Sequence, residues 1–491
     1  MTRVTTYLKT IGASILASTS IFAQQMPDQS SELAKKAEDC YISGIKKKAT
    51  CYTFQVPLDY QEPSGVQIDL HVTILKPTGS LTKQDPFFIY AGGPGQAAGE
   101  YGNLVKLAFH KINEERPIIL MDQRGTGKSS PMRCRMEGYL PEEGATEEFI
   151  KKCFEEQPND VRHFDSLSVV HDTEFVRKEF GFEALNFWGG SFGTRLSAYY
   201  ALTYPDKVRS MILDGVLPPD QSLFYTAPFS AERAINKLIE KCQAEKECNM
   251  SFPSLREDIQ ILLDRAKKGE VLFKGPDPVT AEPIEFSLSR DMMVEAIRSN
   301  LYAAETTQYL PVMIKNAVDG DFNGLLAALL NGTGVSDSMY LGSTLSILCS
   351  EEVPTVTAES VKQHSAGTFA EDSYYTYWST ACKNWQAKPF HQPFKNPLKT
   401  DIPTLVLSGD LDPVTPPTLG DILMKGLSNA RHIIVKGTGH NTSHIGCMPS
   451  LMAEFVNDLK PRELDSGCLR DYKAAPAFTA FSGTTKKQTK E

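Results

Sequence analysis

An α/β architecture, with a mostly parallel central sheet interrupted by a helical insertion, is predicted by three features of the sequence. Short apolar runs recur towards both ends of the chain, and most stop at a glycine-rich or polar turn. That alternation ceases between residues 219 and 395, where the pattern reads as successive helices. A Gly-x-Ser-x-Gly pentapeptide, Gly189-Gly190-Ser191-Phe192-Gly193, stands between an apolar run and a helix-like run. Apolar runs without polar alternation suit parallel strands buried on both faces.

The elements follow in order. Residues 1–23 have the layout of a secretory signal: Arg3 and Lys9, a mostly apolar stretch from Ile11 to Phe22, and the small Ala23 before Gln24. The apolar stretch is shorter than the roughly 20 residues of a membrane span, so no stable membrane insertion is expected after cleavage. Cleavage takes away two basic and no acidic residues, leaving 468 residues with a net charge of −11. An acidic balance argues against nucleic acid as a partner. Residues 24–48 are polar and are expected to be a loose lead-in.

Two strands are expected at Tyr52–Pro57 and Val66–Leu75, with Pro63-Ser64-Gly65 supplying the turn. Further strands are expected at Phe87–Tyr90, Ile118–Met121, Leu185–Trp188, Met211–Leu213, Thr404–Leu407 and His432–Val435. Within 219–395 helices are expected at Ala231–Ala244, Leu255–Lys268, Arg290–Ala304 and Leu310–Val318. Ser191 and Asp412 lie 221 residues apart, whereas two βα crossover units need only about 30 residues each. The surplus is enough for a helical cap. The organisation is therefore a core from 24–218 and 396–472, a cap at 219–395, and a disordered tail at 473–491.

The chain has ten cysteines, which fits an exported protein in an oxidising compartment, periplasmic or secreted. They fall as near neighbours: Cys40 and Cys51, Cys134 and Cys153, Cys242 and Cys248, Cys349 and Cys382, Cys447 and Cys468. Sequence leaves connectivity open; pairing each with its neighbour is the expectation, at about 2–3 kcal/mol per short loop. No Cys-x-x-Cys pair is present, which argues against a zinc ribbon or a thioredoxin-like site.

The chemistry centres on the pentapeptide. Gly-x-Ser-x-Gly between strand and helix is the nucleophile elbow of the α/β-hydrolase fold. A serine hydroxyl is a weak nucleophile and needs a neighbouring base, which in turn needs an acid to hold its tautomer. Asp412 follows the Thr404–Leu407 strand and His440 follows the His432–Val435 strand, giving the chain order Ser191, Asp412, His440 of that fold. Asp410 is the rival acid. Asp412 is preferred because the loop must travel past the strand before turning back. His444 is the rival base. The His440–His444 spacing superficially resembles a zinc pair, but Asn441 stands where HExxH has glutamate and no third ligand is evident, so no metal is expected. The Phe192 amide is the expected first oxyanion donor. Gly93, in the Gly92-Gly93-Pro94-Gly95 loop, is the second.

Two other glycine patterns are decoys. Gly93-Pro94-Gly95-Gln96-Ala97-Ala98 formally matches a dinucleotide fingerprint, but Pro94 removes an N–H the pyrophosphate would use. Gly127-Lys128-Ser129 resembles the end of a P-loop, yet Asp122 occupies the first glycine position. No cofactor is expected. Asp122-Gln123-Arg124-Gly125 reads as a structural turn with Arg124 bracing neighbouring loops.

Several motifs together resemble the prolyl aminopeptidase and tripeptidyl aminopeptidase family of serine exopeptidases. They are Gly-Gly-Pro-Gly at 92–95, Asp-Gln-Arg-Gly-Thr-Gly at 122–127, Gly-Gly-Ser-Phe-Gly-Thr at 189–194, Leu-Asp-Gly-Val at 213–216 and Asp-Pro-Val-Thr-Pro at 412–416. The resemblance covers most of residues 50–470. It implies the same triad, Ser191, Asp412 and His440, and a C-terminal region like that of the tripeptidyl branch at Cys447–Cys468. It also implies acidic residues that hold the substrate's free amino terminus: Cys349-Ser350-Glu351-Glu352 is similar to a Cys-x-acidic segment of that branch, pointing to Glu351 and Glu352. Ala91 stands where prolyl aminopeptidases usually carry histidine, a departure that sets strict proline specificity in question. The expectation is an exported serine aminopeptidase acting on small peptides. A small-molecule esterase with the same triad is the alternative.

Overall fold

The short apolar runs become the inner strands of one sheet in the computed structural model, which describes residues 32–134, 145–276, 281–332, 339–387, 396–470, 472 and 475–482. The expected signal segment lies outside the described residues. The strands are β1 (Glu38–Cys40), β2 (Ala49–Pro57), β3 (Gln67–Leu75), β4 (Phe87–Tyr90), β5 (Ile118–Met121), β6 (Leu185–Gly190), β7 (Val208–Asp214), β8 (Leu272–Pro276), β9 (Pro283–Ser287), β10 (Thr404–Gly409) and β11 (Ala430–Val435). Nine of them form one sheet in the order β1-β2-β3-β5-β4-β6-β7-β10-β11. From β5 to β11 every ladder is parallel; β1, β2 and β3 add antiparallel pairings at one edge.

Strand periodicity explains the apolar runs. Phe88 and Tyr90 of β4, Ile119 and Met121 of β5 and Phe187 of β6 pack into a layer on one face. Their alternates Phe87, Ile89, Ile118, Leu120 and Trp188 pack into a layer on the other. Side chains alternate faces along a strand, so a strand covered on both sides must be apolar throughout. The helix Phe192–Thr203 lies against the first layer and Met448–Asp458 against the second.

The segment between β7 and β10 has its own core, built by Ile235 and Leu238 of helix Leu223–Ala244, Leu262 of Leu255–Lys267, Met293 and Ile297 of Arg290–Ser299, and Ile314 of Leu310–Val318. The first of these helices starts well before the expected Ala231, because the Ser222 side chain caps Phe224 N–H and Pro228 is accommodated inside the helix. The helix expected over Arg290–Ala304 stops at Ser299, with the Asn300 amide donating back to the Ala296 carbonyl at 2.7 Å. The hairpin β8–β9 was not legible, since its strands are only half-buried and carry Gly275 and two prolines.

Two expectations are corrected. The lead-in is not wholly loose: Glu38–Cys40 pairs antiparallel with β2 and the Cys40–Cys51 disulfide pins it there. The tail is not disordered over its described part. Phe478 stacks on Tyr309 with ring centroids 4.3 Å apart, its N–H donates to the Gln308 carbonyl at 2.9 Å, and Ala477 N–H donates to Glu245 at 3.0 Å. Two aromatic residues, Phe478 and Phe481, in an alanine-rich stretch stack on Tyr309 and anchor it on the inserted helices.

The cysteines pair as Cys40–Cys51, Cys134–Cys153, Cys242–Cys248, Cys349–Cys382 and Cys447–Cys468. Among the described residues no helix is long and apolar enough to cross a membrane. Arg124 braces loops in the way its turn suggested. Its guanidinium grips both oxygens of Asp172 at 2.7 Å and donates to the Leu58, His163 and Pro57 carbonyls. Both side chains of this ion pair are fully buried. Removing one partner strands a charge, which costs about 3–5 kcal/mol. Arg124→Leu is expected to lose stability on that scale in urea unfolding; a loss under about 1 kcal/mol would mean that Asp172 is satisfied without it.

Candidate active site

β6 ends in Gly189 and Gly190, and the chain turns at Ser191 into the helix Phe192–Thr203. Ser191 has φ 55° and ψ −121°, on the side of backbone space rarely used by a residue with a Cβ. A Cβ on Gly189 would collide with the Gly193 carbonyl oxygen, and one on Gly193 with the Tyr90 carbonyl oxygen. The helix thus crosses β4 and β6 more closely than side chains would permit. Two bonds hold the turn: Ser191 N–H donates to the Asp214 carbonyl at 2.9 Å, and the Thr194 hydroxyl donates to the Ser191 carbonyl at 2.6 Å.

Asp412 is fully buried in the loop after β10. Its Oδ1 accepts the Val414 and Thr415 amides, each at 2.8 Å. Its Oδ2 accepts the Thr415 hydroxyl at 2.8 Å and lies 2.7 Å from His440 Nδ1. An ionised carboxylate only accepts, so Nδ1 carries a proton and Nε2 is left as the basic nitrogen. Burial works against the Asp412 charge, but the His440 charge and hydrogen bond and the two amides outweigh it and hold the carboxyl below its ordinary value. Burial likewise opposes the imidazolium. The Asp412 charge and hydrogen bond and the Asp214 charge overcome both burial and the Arg298 charge, and raise His440 above its ordinary value.

The rival residues go elsewhere. Asp410 caps the Gly437 amide, and His444 is exposed. Among the described residues no group of three or more His, Cys, Asp or Glu could hold a metal.

Among the described residues Ser191 and His440 share no direct hydrogen bond; common neighbours bring them together. The Asp214 carbonyl that takes Ser191 N–H also takes the Asn441 side-chain amide at 2.7 Å. A Cβ on Gly215 would lie 2.9 Å from His440 Cε1, so that glycine backs the imidazole. Over the nucleophile, a Cβ on Gly92 would come within 3.1 Å of Ser191 Cβ. The Gly92 N–H is committed to the Tyr101 hydroxyl at 3.1 Å. Among the described residues neither Gly93 nor Phe192 N–H has a backbone partner, which leaves both donors open.

The cap reaches directly into this arrangement. His440 N–H donates to the Tyr302 carbonyl at 2.6 Å, and a Cβ on Gly439 would collide with that same oxygen. Tyr302 also packs edge-on against the imidazole at 5.4 Å and accepts from Arg298 at 2.7 Å. The break after Ser299, where a continuous helix was expected, is what frees this carbonyl.

Glu351 and Glu352 are each only 2 % exposed. They line a cavity of about 160 Å³ with Arg195, Tyr199, Asp220 and Tyr225. Arg195 stands one turn along the helix from Ser191. Glu351 accepts the Ser166 amide at 2.7 Å and hydroxyl at 2.8 Å. Burial pushes its carboxyl up to about 8, against the Ser166 bonds. Glu352 pairs with Arg195 and accepts the Leu223 amide at 3.0 Å. The two acids therefore face a cavity, yet both already have protein partners.

Sequence reasoning missed four participants: Thr415, Asp214, Tyr302 and Arg195. Thr415 and Asp214 sit inside motifs that were noted, and their placement beside Asp412 and at the elbow was the available signal. Tyr302 acts through its carbonyl, which no side-chain pattern reveals.

A family model described as alpha/beta hydrolase fold matches residues 85–234, and one described as TAP-like protein matches residues 369–468. The chain is 27% identical over 464 residues to the serine protease Hip1 of Mycobacterium tuberculosis, a match covering 83% of this chain and 84% of that protein. It is 28% identical over 213 residues to a tripeptidyl aminopeptidase of Streptomyces lividans, covering 39% of this chain and 40% of the relative. It is 30% identical over 172 residues to a proline iminopeptidase of Aeromonas sobria, covering 34% and 37%. The matched models cover the elbow on one side and the aspartate and histidine loops on the other, and the chain has the α/β-hydrolase fold and is related to serine peptidases.

Proposed function

We propose that this chain is an exported serine aminopeptidase that acts on short peptides through an acyl-enzyme on Ser191. The observation that carries the aminopeptidase reading is the acid-walled cavity whose wall includes Arg195, one helical turn from Ser191. Relatives named tripeptidyl aminopeptidase and proline iminopeptidase support it. The five disulfides and the signal-like residues 1–23 support export to the periplasm or beyond.

In this reading the Ser191 hydroxyl oxygen attacks the scissile carbonyl while His440 Nε2 takes its proton. The oxyanion accepts the Gly93 and Phe192 N–H groups at the positive end of the Phe192–Thr203 helix. Losing one such donor costs about 3–4 kcal/mol of transition-state stabilisation. His440 then gives its proton to the departing amine as the C–N bond breaks. Water, deprotonated by the same nitrogen, attacks the ester, and the acyl group leaves as Ser191 regains its proton. Asp412 remains ionised throughout and orients the imidazole. Glu351 and Glu352 receive the substrate ammonium. The raised Glu351 carboxyl would release its proton to solvent as the cation enters.

A panel of aminoacyl- and tripeptidyl-coumarins, free and N-acetylated, tests this directly. Cleavage of the free forms only, abolished by Ser191→Ala, is expected. Glu351→Gln should raise KM for the free substrates about tenfold, equivalent to about 1.4 kcal/mol, with little change in kcat. Equal cleavage of free and acetylated forms, or turnover of simple esters alone, would move the assignment to an esterase.

The pH profile supplies a second test. His440 must be neutral to accept the proton, and its pKa is raised. Activity should therefore be full at higher pH and fall as pH drops through an inflection above the ordinary histidine value of 6.5. An inflection at or below 6.5 would contradict the Asp412–His440 coupling.

A further inference from the structure

A second buried carboxylate stands behind the histidine loop, outside both the triad and the cavity. Asp214 closes β7 and is fully buried. Its Oδ2 accepts the Ser443 amide at 2.8 Å, the Ser443 hydroxyl at 2.6 Å and the Thr442 amide at 2.8 Å. Its Oδ1 accepts the Thr442 amide at 2.9 Å and the Thr442 hydroxyl at 3.3 Å. The Ser443 oxygen receives Trp188 Nε1–H at 2.8 Å, so its own proton is directed to Asp214. The amides around this carboxyl can only donate, and the Ser443 proton is already aimed at it. That is the environment of an ionised group.

The same residue works from its main chain. One carbonyl oxygen takes both Ser191 N–H and the Asn441 side-chain amide. Asp214 is thus tied to the residue that turns the elbow and to the three residues that follow His440. Buried carboxylates with this many donors are costly to replace, since each donor left behind is unsatisfied.

We propose that Asp214 is a positioning residue for the hydrolysis: it fixes the His440 loop against the elbow and places a second negative charge behind the imidazole. The inference rests on Ser191 and His440 acting as nucleophile and base. It does not depend on which peptide or ester is cut. The groups facing His440 are Asp412 and Asp214, which favour its charge, Arg298, which opposes it, and the Tyr302 ring. Burial pulls Asp214 upward against its hydrogen bonds and the His440 charge.

The test uses the full chain and a fluorophosphonate, which reports the nucleophile without reference to the natural substrate. Asp214→Asn keeps the shape and removes the charge. The labelling rate should fall tenfold or more, and the acid inflection should move to lower pH, because the imidazolium loses a favourable neighbour. Ser443→Ala keeps the charge and drops one donor. It should slow labelling several-fold with the inflection unmoved, and it keeps the question open to measurement if Asp214→Asn does not fold. A folded Asp214→Asn with the wild-type rate, or a slowed one with an unmoved inflection, overturns the inference. So does Ser443→Ala labelling at the wild-type rate. A wild-type protein that does not label at Ser191 overturns the nucleophile reading and this inference with it.

Discussion

At Gly189 and Gly193 the helix that follows Ser191 meets the sheet with no side chain between them, and the rest of the site depends on that approach. It brings the Phe192 amide and the helix N-terminus up to the strand ends. It forces Ser191 into a left-handed backbone, and the turn is held there by the Asp214 carbonyl and the Thr194 hydroxyl. Backbone strain of about 1–3 kcal/mol persists only where the surroundings over-determine it. Here the surroundings are strands β4, β6 and β7, all buried on both faces. The sheet's apolar character and the placement of one hydroxyl at the strand ends are two ends of one packing problem.

The core was legible because its strands are short, apolar and stopped by glycine or polar turns, so Phe87–Tyr90 and Ile118–Met121 appear with the bounds their residues suggest. Ser191, Asp412 and His440 were legible for a related reason: each sits just past such a strand. The cap was harder. Its helices pack on one another, so their amphipathic spacing is clear in the middle and silent at the ends. The extension of one helix through Pro228 and the break of another after Ser299 both depend on tertiary neighbours. The docked tail eluded composition altogether, since two phenylalanines settle its position among residues that are mainly alanine, with threonine and serine.

The acidic pair shows where reasoning from residue type needs geometry. An exposed glutamate pair would bind a cation and do little else. Here Glu351 ties the start of the helix Ser166–Glu179, Glu352 ties Arg195 and the start of the first cap helix, and the Cys349–Cys382 disulfide anchors the helical turn that carries both. Four segments of core and cap meet at two consecutive residues. Any cation entering the cavity beside them competes with protein donors for the same oxygens, so affinity there and cap attachment draw on one set of bonds.

The contact between Tyr302 and His440 has a consequence for how such a protein can change over time. The carbonyl that receives the histidine's N–H belongs to the inserted segment, and Gly439 is small because that oxygen comes so near. An inserted segment in this position is part of the support of His440. Exchanging it for another would alter selectivity and turnover together unless the new segment offered a carbonyl at the same point. In the proposed enzyme a change in the inserted segment is therefore felt at the histidine as well.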